Sequence, residues 1–268
     1  MPEGPECRRI TERLAQYVSG RHLQSVSFLG GRYIKKLPTG FDKFATNFPI
    51  EVVGVGVHGK FIYWIMKKDF SVWNTLGMSG FWSKERQPHS RVQFNFDDSS
   101  TAFFNDQRNF GTLKFVWGKQ PLIEKLTSLG PDMLADDVAD EMFIQQLRKK
   151  NSHNICKALM NQAVICGVGN YIKADSLWLA KINPHRDVQE ISDEELRNLN
   201  RCVKQIIRES YNSGGATIRT YKNFDGQNGE YASKFLVYNR KIDPEGNKIT
   251  KELTPDGRQT HWSPAIQH

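Results

Sequence analysis

The stretch between residues 22 and 117 does most to limit what this chain can fold into. Short runs rich in β-branched and aromatic residues follow one another there, at 23–29, 50–57, 60–67, 71–75, 91–96, 101–105 and 112–116, punctuated by Gly, Asp and Pro. Such runs at close spacing predict an antiparallel β-sandwich or barrel. Before them, Ile10, Leu14, Tyr17 and Val18 recur at helical spacing and Gly20 supplies a stop, which predicts a helix over 5–18. After 117 the period changes. Residues 117–131 read as a linker with a short helix, 136–149 as a helix, and 154–162 and 171–180 as two helices around a turn at 163–170. Ser192 followed three residues later by Glu195 forms a capping box. The helix it opens runs to about 211 and ends near Gly214 and Gly215. The tail reads as a hairpin, with strands at 237–242, 250–253 and 260–262 and a turn at 243–247.

Charge and cysteine usage narrow the function classes. Lys and Arg total 37 against 29 acidic residues, a net charge of +8, which favours a polyanionic partner such as nucleic acid. Cys7, Cys156, Cys166 and Cys202 form no C-x-x-C pair, so neither a disulfide framework nor a zinc site is suggested, and a reduced, intracellular protein is expected. No apolar run reaches the length of a membrane span, and the N-terminus lacks a signal-peptide core.

Two segments carry chemistry. The chain begins MPEGPE. Removal of Met1 would leave Pro2 with a free secondary amine, and an α-amino group is partly unprotonated and nucleophilic near neutral pH. An amine meeting an aldehyde carbon gives a Schiff base. Glu3 and Glu6 set carboxylates beside that amine, able to shuttle protons. The plainer reading is an ordinary start, with Pro5 opening a helix. The second segment is GVGNYIKAD at 167–175, preceded by KALMNQ at 157–162. A Gly-rich turn feeding a helix presents backbone N–H groups to an anion, and Asn170 can add an amide to a phosphate. Equally, Gly167 and Gly169 can serve a tight turn between helices.

MPEGPE, LGMSG at 76–80, RNFG at 108–111, KALMNQ and GVGNYIKAD occur in this order over nearly the whole chain. Together they resemble the formamidopyrimidine-DNA glycosylase/endonuclease VIII family. The resemblance implies an α+β fold: an N-terminal antiparallel β-sandwich, a helix–two-turn–helix domain and a C-terminal β-hairpin finger. On this sequence that gives a catalytic domain at 1–118, a linker at 119–135, a helical DNA-binding domain at 136–235 with a lesion loop at 217–234, and a finger at 236–268.

The resemblance also implies roles. Pro2 attacks C1′ of a damaged nucleotide, Glu3 supplies the proton that opens the sugar, Glu6 supports the site, and Lys60 contacts a phosphate at the lesion. Met78, Arg108 and Phe110 fill the gap left by a flipped-out base. Gln107 and Asn109 stand where many relatives have Pro and Arg. His89 matches a DNA-contacting histidine, although a lone histidine is as readily structural. Lys150, in the basic run 148–150, could track the backbone or lie on a solvated face, and Gly169 and Asn170 belong to the helix-start phosphate site. Arg258 matches a finger arginine that approaches the lesion phosphate and aids δ-elimination; without the family it reads as a turn arginine after Asp256-Gly257.

Many relatives hold zinc in the finger with C-x-x-C and C-P-x-C-Q. Here DPEGNK at 243–248 and SPAIQ at 263–267 stand instead, so a zincless finger held by packing of Trp262, Ile249 and Ile266 is expected. The implied function is a bifunctional DNA glycosylase and abasic-site lyase of base excision repair, without metal or cofactor, acting as a monomer on damaged double-stranded DNA. Two alternatives stay open: a non-catalytic damage-binding protein on the same scaffold, and a lyase without glycosylase activity. The long loop points to oxidised purines and the zincless finger to oxidised pyrimidines and hydantoins.

Overall fold

A computed structural model of the chain describes residues 2–216, 224, 226 and 228–268. It divides into two compact units. The first comprises Pro2, Glu6–Thr127 and Gly214–Glu230; the second comprises Glu3–Pro5, Ser128–Ser213 and Tyr231–His268. The finger residues therefore group with the helices. The expected loop at 217–234 falls largely outside the described residues. Within it, Phe224 is buried in the core of the first unit, its ring 5.3 Å from that of Tyr17.

The chain opens with α1 (Gly4–Val18), whose Ile10, Leu14 and Val18 are fully buried. Then come β1 (His22–Phe28), two short helices α2 (Arg32–Lys35) and α3 (Phe41–Ala45), and seven further strands: β2 (Ile50–His58), β3 (Phe61–Met66), β4 (Phe70–Thr75), β5 (Gly80–Ser83), β6 (Ser90–Phe96), β7 (Thr101–Asp106) and β8 (Thr112–Trp117). All seven strands expected from the pattern are present. The four-residue β5 and the two short helices are additions that no long apolar run announces.

The eight strands run in the order β5-β7-β6-β1-β2-β3-β4-β8 with antiparallel pairing. The middle of this sheet is thin, since β1 meets β2 only at His22↔Glu51 and Leu23↔Ile50. A register shift between Leu23 and Ser25 on the other edge of β1 marks the same place, as expected where a sheet bends sharply. The two halves then fold face to face. Trp64 of β3 lies 5.0 Å from both Trp82 of β5 and Phe94 of β6, strands several places away in the sheet order. The sandwich is thus one sheet closed over an aromatic core.

The second unit is helical: α4 (Lys119–Thr127) precedes it, and α5 (Asp140–Arg148), α6 (Ile155–Met160), α7 (Asn170–Leu179) and α8 (Asp193–Asn212) build it. The Ser192–Glu195 capping box forms in both directions, at 3.2 and 2.7 Å. Leu196, Leu199, Val203, Ile206 and Ile207 give α8 its buried stripe. Helix α7 is buried from Tyr171 through Trp178, including Lys173 and Asp175. Charges on a buried helix need partners, and both have them. Strands β9 (Thr250–Leu253) and β10 (Gln259–Trp262) form the finger hairpin.

One expected strand, 237–242, does not form. The backbone donors at its start go instead to the Asp175 carboxylate, which accepts from the N–H groups of Leu236 (3.2 Å), Val237 (3.0 Å) and Tyr238 (2.9 Å), and at its far end Ile242 makes a single antiparallel bridge with Lys248. A buried carboxylate offers stronger acceptors than a strand edge. Ile249, expected to pack the finger, joins Val237, Trp178 and Ala174 in a small core. Trp262 is half-buried, 5.5 Å from the His185 ring, and its indole bonds Glu252. Among the described residues no helix is long and apolar enough to cross a membrane.

The finger anchor carries opposed pH responses. Burial pushes the Asp175 carboxyl up to about 6, against the three backbone bonds and Arg240. Burial, with Lys251 and Lys173, pushes His261 from 6.5 down to about 4. A raised acid costs stability at neutral pH, and the cost is relieved as pH falls from 6 toward 4. A depressed histidine does the reverse: its contribution is full above pH 6.5 and is lost as pH falls through 4. The His261→Gln variant is therefore expected to lose up to about 3 kcal/mol less than wild type between pH 7 and 4. Denaturant midpoints across that range measure it, and matching slopes would refute the assignment.

Candidate active site and DNA interface

The glycines at 167 and 169 close around the chain's own N-terminal segment. The Glu3 carboxylate accepts hydrogen bonds from Tyr171 N–H at 2.9 Å and Ile172 N–H at 3.3 Å, both at the start of α7. Glu3 is 1% exposed. The unsatisfied donors and positive dipole end of a helix favour an anion, and among the described residues the chain supplies that anion itself. Gly169 makes the approach possible: a Cβ there would stand 2.1 Å from Glu3 Cδ. Gly4 donates its N–H to Gly167 O at 2.9 Å, fixing the segment on the other side of Glu3.

Asn170, one residue on, points elsewhere. Its Nδ2 donates to Gln259 O at 3.0 Å, at the base of the turn that carries Arg258 between β9 and β10. Arg258 itself is exposed. Tyr238, to which the sequence assigns no role, joins this neighbourhood. Burial holds its hydroxyl above the ordinary value and the charge of Glu3 adds to the effect, while Asn170 and Arg258 oppose it. An acid, an amide, a phenol and a guanidinium thus share one region of the second unit, with Pro2 covalently next to the acid. Lys150 lies apart, partly buried in the turn after α5. Its neighbour Arg148 is spent internally, on Val188 O, Ile191 O and Asp193, so only part of the basic run faces outward.

The remaining expected residues belong to the first unit. Pro2 is buried, and the Glu6 carboxylate accepts from Ala216 N–H at 2.7 Å. Glu6 thereby holds the base of the segment that leads into the 217–234 loop. Lys60 sits in the tight turn joining β2 to β3, after Gly59 at φ 57°.

Met78, Arg108 and Phe110 lie on two loops knitted together by Asp106. Its Oδ1 accepts from the Ser79 hydroxyl at 2.6 Å and from Arg108 N–H at 3.2 Å, and its Oδ2 accepts from Gly111 N–H at 2.6 Å. Gly77 adopts φ 61°, and a Cβ there would come within 2.6 Å of the Phe110 carbonyl carbon. Phe110 is 54% exposed, so it is a presented ring and not part of the core. The Arg108 guanidinium stacks on it at 5.0 Å. Asn109 between them takes φ 56°, a left-handed conformation that Asn tolerates better than most residues. His89 is exposed, and its carbonyl accepts from Asp106 N–H at 3.0 Å, which puts it at the same end of the sheet.

Zinc does not fit the finger. Around 243–248 and 263–267 the polar side chains are Asp243, Glu245, Asn247, Lys248, Ser263 and Gln267, with no thiol. The Asp243 carboxylate already accepts from Glu245 N–H at 3.0 Å, Asn247 N–H at 2.8 Å and the Trp178 indole at 3.3 Å. Burial raises its pKa, but the bonds from Asn247, Ser263 and Trp178 outweigh that and hold it below the ordinary value. Among the described residues no group of three or more His, Cys, Asp or Glu is placed to hold a metal ion.

Comparison with known proteins gives a consistent picture. Residues 1–113 match the model of the formamidopyrimidine-DNA glycosylase N-terminal domain, and 129–222 match that of the formamidopyrimidine-DNA glycosylase H2TH domain. The formamidopyrimidine-DNA glycosylase of Listeria monocytogenes serovar 1/2a is 31% identical, with 100% of both chains covered. The crystal structure of the MutM (Fpg) protein from Thermus thermophilus superposes with a TM-score of 0.86 at 26% identity, covering 99% of this chain and 98% of that one. A Lactococcus lactis Fpg in complex with DNA containing an abasic site superposes at 0.87 and 25% identity, covering 99% of each.

The seat of Glu3 can be tested without assaying activity. Gly169→Ala must displace the Glu3 carboxylate or the start of α7, and is expected to cost roughly 1–3 kcal/mol as an overpacked buried site. Urea denaturation measures the loss. A neutral substitution would show that the close approach is not required.

Proposed function

Because this chain belongs to the formamidopyrimidine-DNA glycosylase family, we propose that it removes oxidised bases from double-stranded DNA and cuts the abasic strand by β,δ-elimination. The observation that carries the reading is the Glu3 carboxylate, buried on the start of α7, with Pro2 immediately before it and the Arg258 turn tied to the next residue, Asn170. Binding alone needs neither a buried acid beside the N-terminus nor a proline amine.

The chemistry follows from those groups. The basic surface engages phosphates, so affinity falls steeply with salt. The damaged base leaves the stack, and Met78, Arg108 and Phe110 fill the space behind it. The exposed Phe110 ring, backed by the Arg108 guanidinium, suits such a wedge. With Met1 removed, the Pro2 nitrogen attacks C1′ and the base departs. The attacking nitrogen gives up its proton to the Glu3 carboxylate; the C1′–O4′ bond then breaks, O4′ takes that proton from Glu3, and the nitrogen lone pair completes an iminium. Loss of a C2′ proton expels the 3′ phosphate. A second elimination expels the 5′ phosphate, whose charge Arg258 neutralises. Lys60 holds a lesion phosphate, and Glu6 supports the loop base through Ala216. The amine, acid and guanidinium all come from the protein, so the reading needs no metal and no organic cofactor. The substrate range is a broad set of oxidised bases, and the protein acts as a monomer on genomic DNA.

The test is borohydride trapping on a duplex with one abasic site, using protein shown by mass spectrometry to lack Met1. Wild type is expected to give a covalent complex and Pro2→Gly to weaken or lose it. Glu3→Gln is expected to keep abasic trapping while losing at least about a hundredfold in activity on a damaged base, the scale of a missing general acid. No trapped complex from wild type would leave a non-catalytic damage binder. Trapping without base removal would leave an abasic-site lyase.

A further inference from the structure

We infer that the buried ion pair between Lys173 and Asp256 is the device that positions Arg258. Lys173 Nζ lies 2.5 Å from Asp256 Oδ2, with the two side chains 0% and 2% exposed. The other Asp256 oxygen accepts from the Thr254 hydroxyl at 2.6 Å and from the Arg258 N–H at 3.3 Å. The charge on Asp256 is therefore one bond away from the backbone of the arginine. The turn closes through Thr254 N–H to Arg258 O at 3.0 Å and the Thr254–Thr260 hydroxyl pair at 2.6 Å.

Helix α7 grips this turn twice. Asn170 and Lys173 are three residues apart and share a helix face. Asn170 takes Gln259 O, and Lys173 takes Asp256, so the two contacts bracket Arg258 in sequence. The same helix start seats Glu3. The acid and the arginine are thus referenced to one rigid element through separate contacts.

Stability alone does not account for the pair. Burying two charges is expensive, and well-packed apolar replacements of buried pairs are often neutral or stabilising. A two-stranded hairpin with four-residue strands holds its tip poorly by itself. In a finger without zinc ligands, a fixed point at the tip has to come from elsewhere, and the pair supplies it.

This inference rests on the reading of Arg258 as the group that assists the second elimination, so the experiment separates the two. The variant Lys173→Met/Asp256→Asn removes both buried charges and leaves an amide oxygen at position 256 for the Thr254 and Arg258 donors. Melting temperature confirms folding. On an abasic duplex, product gels resolve the β from the β,δ product, and borohydride trapping reports the Pro2 step. The double variant is expected to trap within about twofold of wild type and to shift the product ratio toward β roughly ten- to a hundredfold, the scale of an ångström-level misplacement. Lys173→Arg keeps the pair and is expected to keep the wild-type ratio, and Arg258→Ala is expected to reproduce the double variant's shift. A folded double variant with the wild-type ratio, or an Arg258→Ala variant with that ratio, overturns the inference. Absence of wild-type trapping overturns the underlying reading instead.

Discussion

The second unit depends on one carboxylate seated on one helix. Glu3 occupies the start of α7, where Tyr171 and Ile172 offer donors that no helical carbonyl can take. Gly169 yields the space, and Gly167 receives the backbone of Gly4. Along the rest of the helix, Lys173 and Asp175 point into the same unit and hold the finger by its tip and its root. Three charged side chains thus tie the N-terminal residues and the C-terminal hairpin to one buried cylinder. In each case a backbone N–H or a counter-charge compensates the cost of burial.

Much of the fold is legible because strand and helix periods are local. The seven expected strands and the Ser192 cap follow from side-chain alternation and one capping box. β5 escapes because Gly80-Phe81-Trp82-Ser83 is too short to show alternation, and its pairing with β7 is what makes it a strand. The segment 237–242 fails in the opposite direction: its residues favour a strand, and a carboxylate some sixty positions away claims its first two donors. Tertiary contacts of this kind leave no periodic trace.

The site divides the same way. Pro2, Glu3, Met78, Arg108 and Phe110 belong to short motifs that can be read directly. Asp106, which shapes the loop carrying Arg108 and Phe110, looks in sequence like any acid at a strand end. Only its bonds to Ser79, Arg108 and Gly111 show its part. Tyr238, Lys173 and Asp175 are equally silent, since a charged or aromatic residue on a helix or tail normally signals solvent or packing. The GVGN turn was legible as an anion site, and the anion is internal.

The distances along the chain that these contacts span have a consequence for synthesis. Glu3 finds Tyr171 168 residues later, and Glu6 finds Ala216 210 residues later. A ribosome delivers the N-terminal segment first and these partners much later, so the first residues emerge without their seat. The acid next to Pro2 is held in place only once α7 has left the exit tunnel, and the finger tip is held only after residue 256 follows. A nascent chain therefore carries Pro2 with no ordered acid beside it, and the assembled arrangement exists only after residue 256 has emerged.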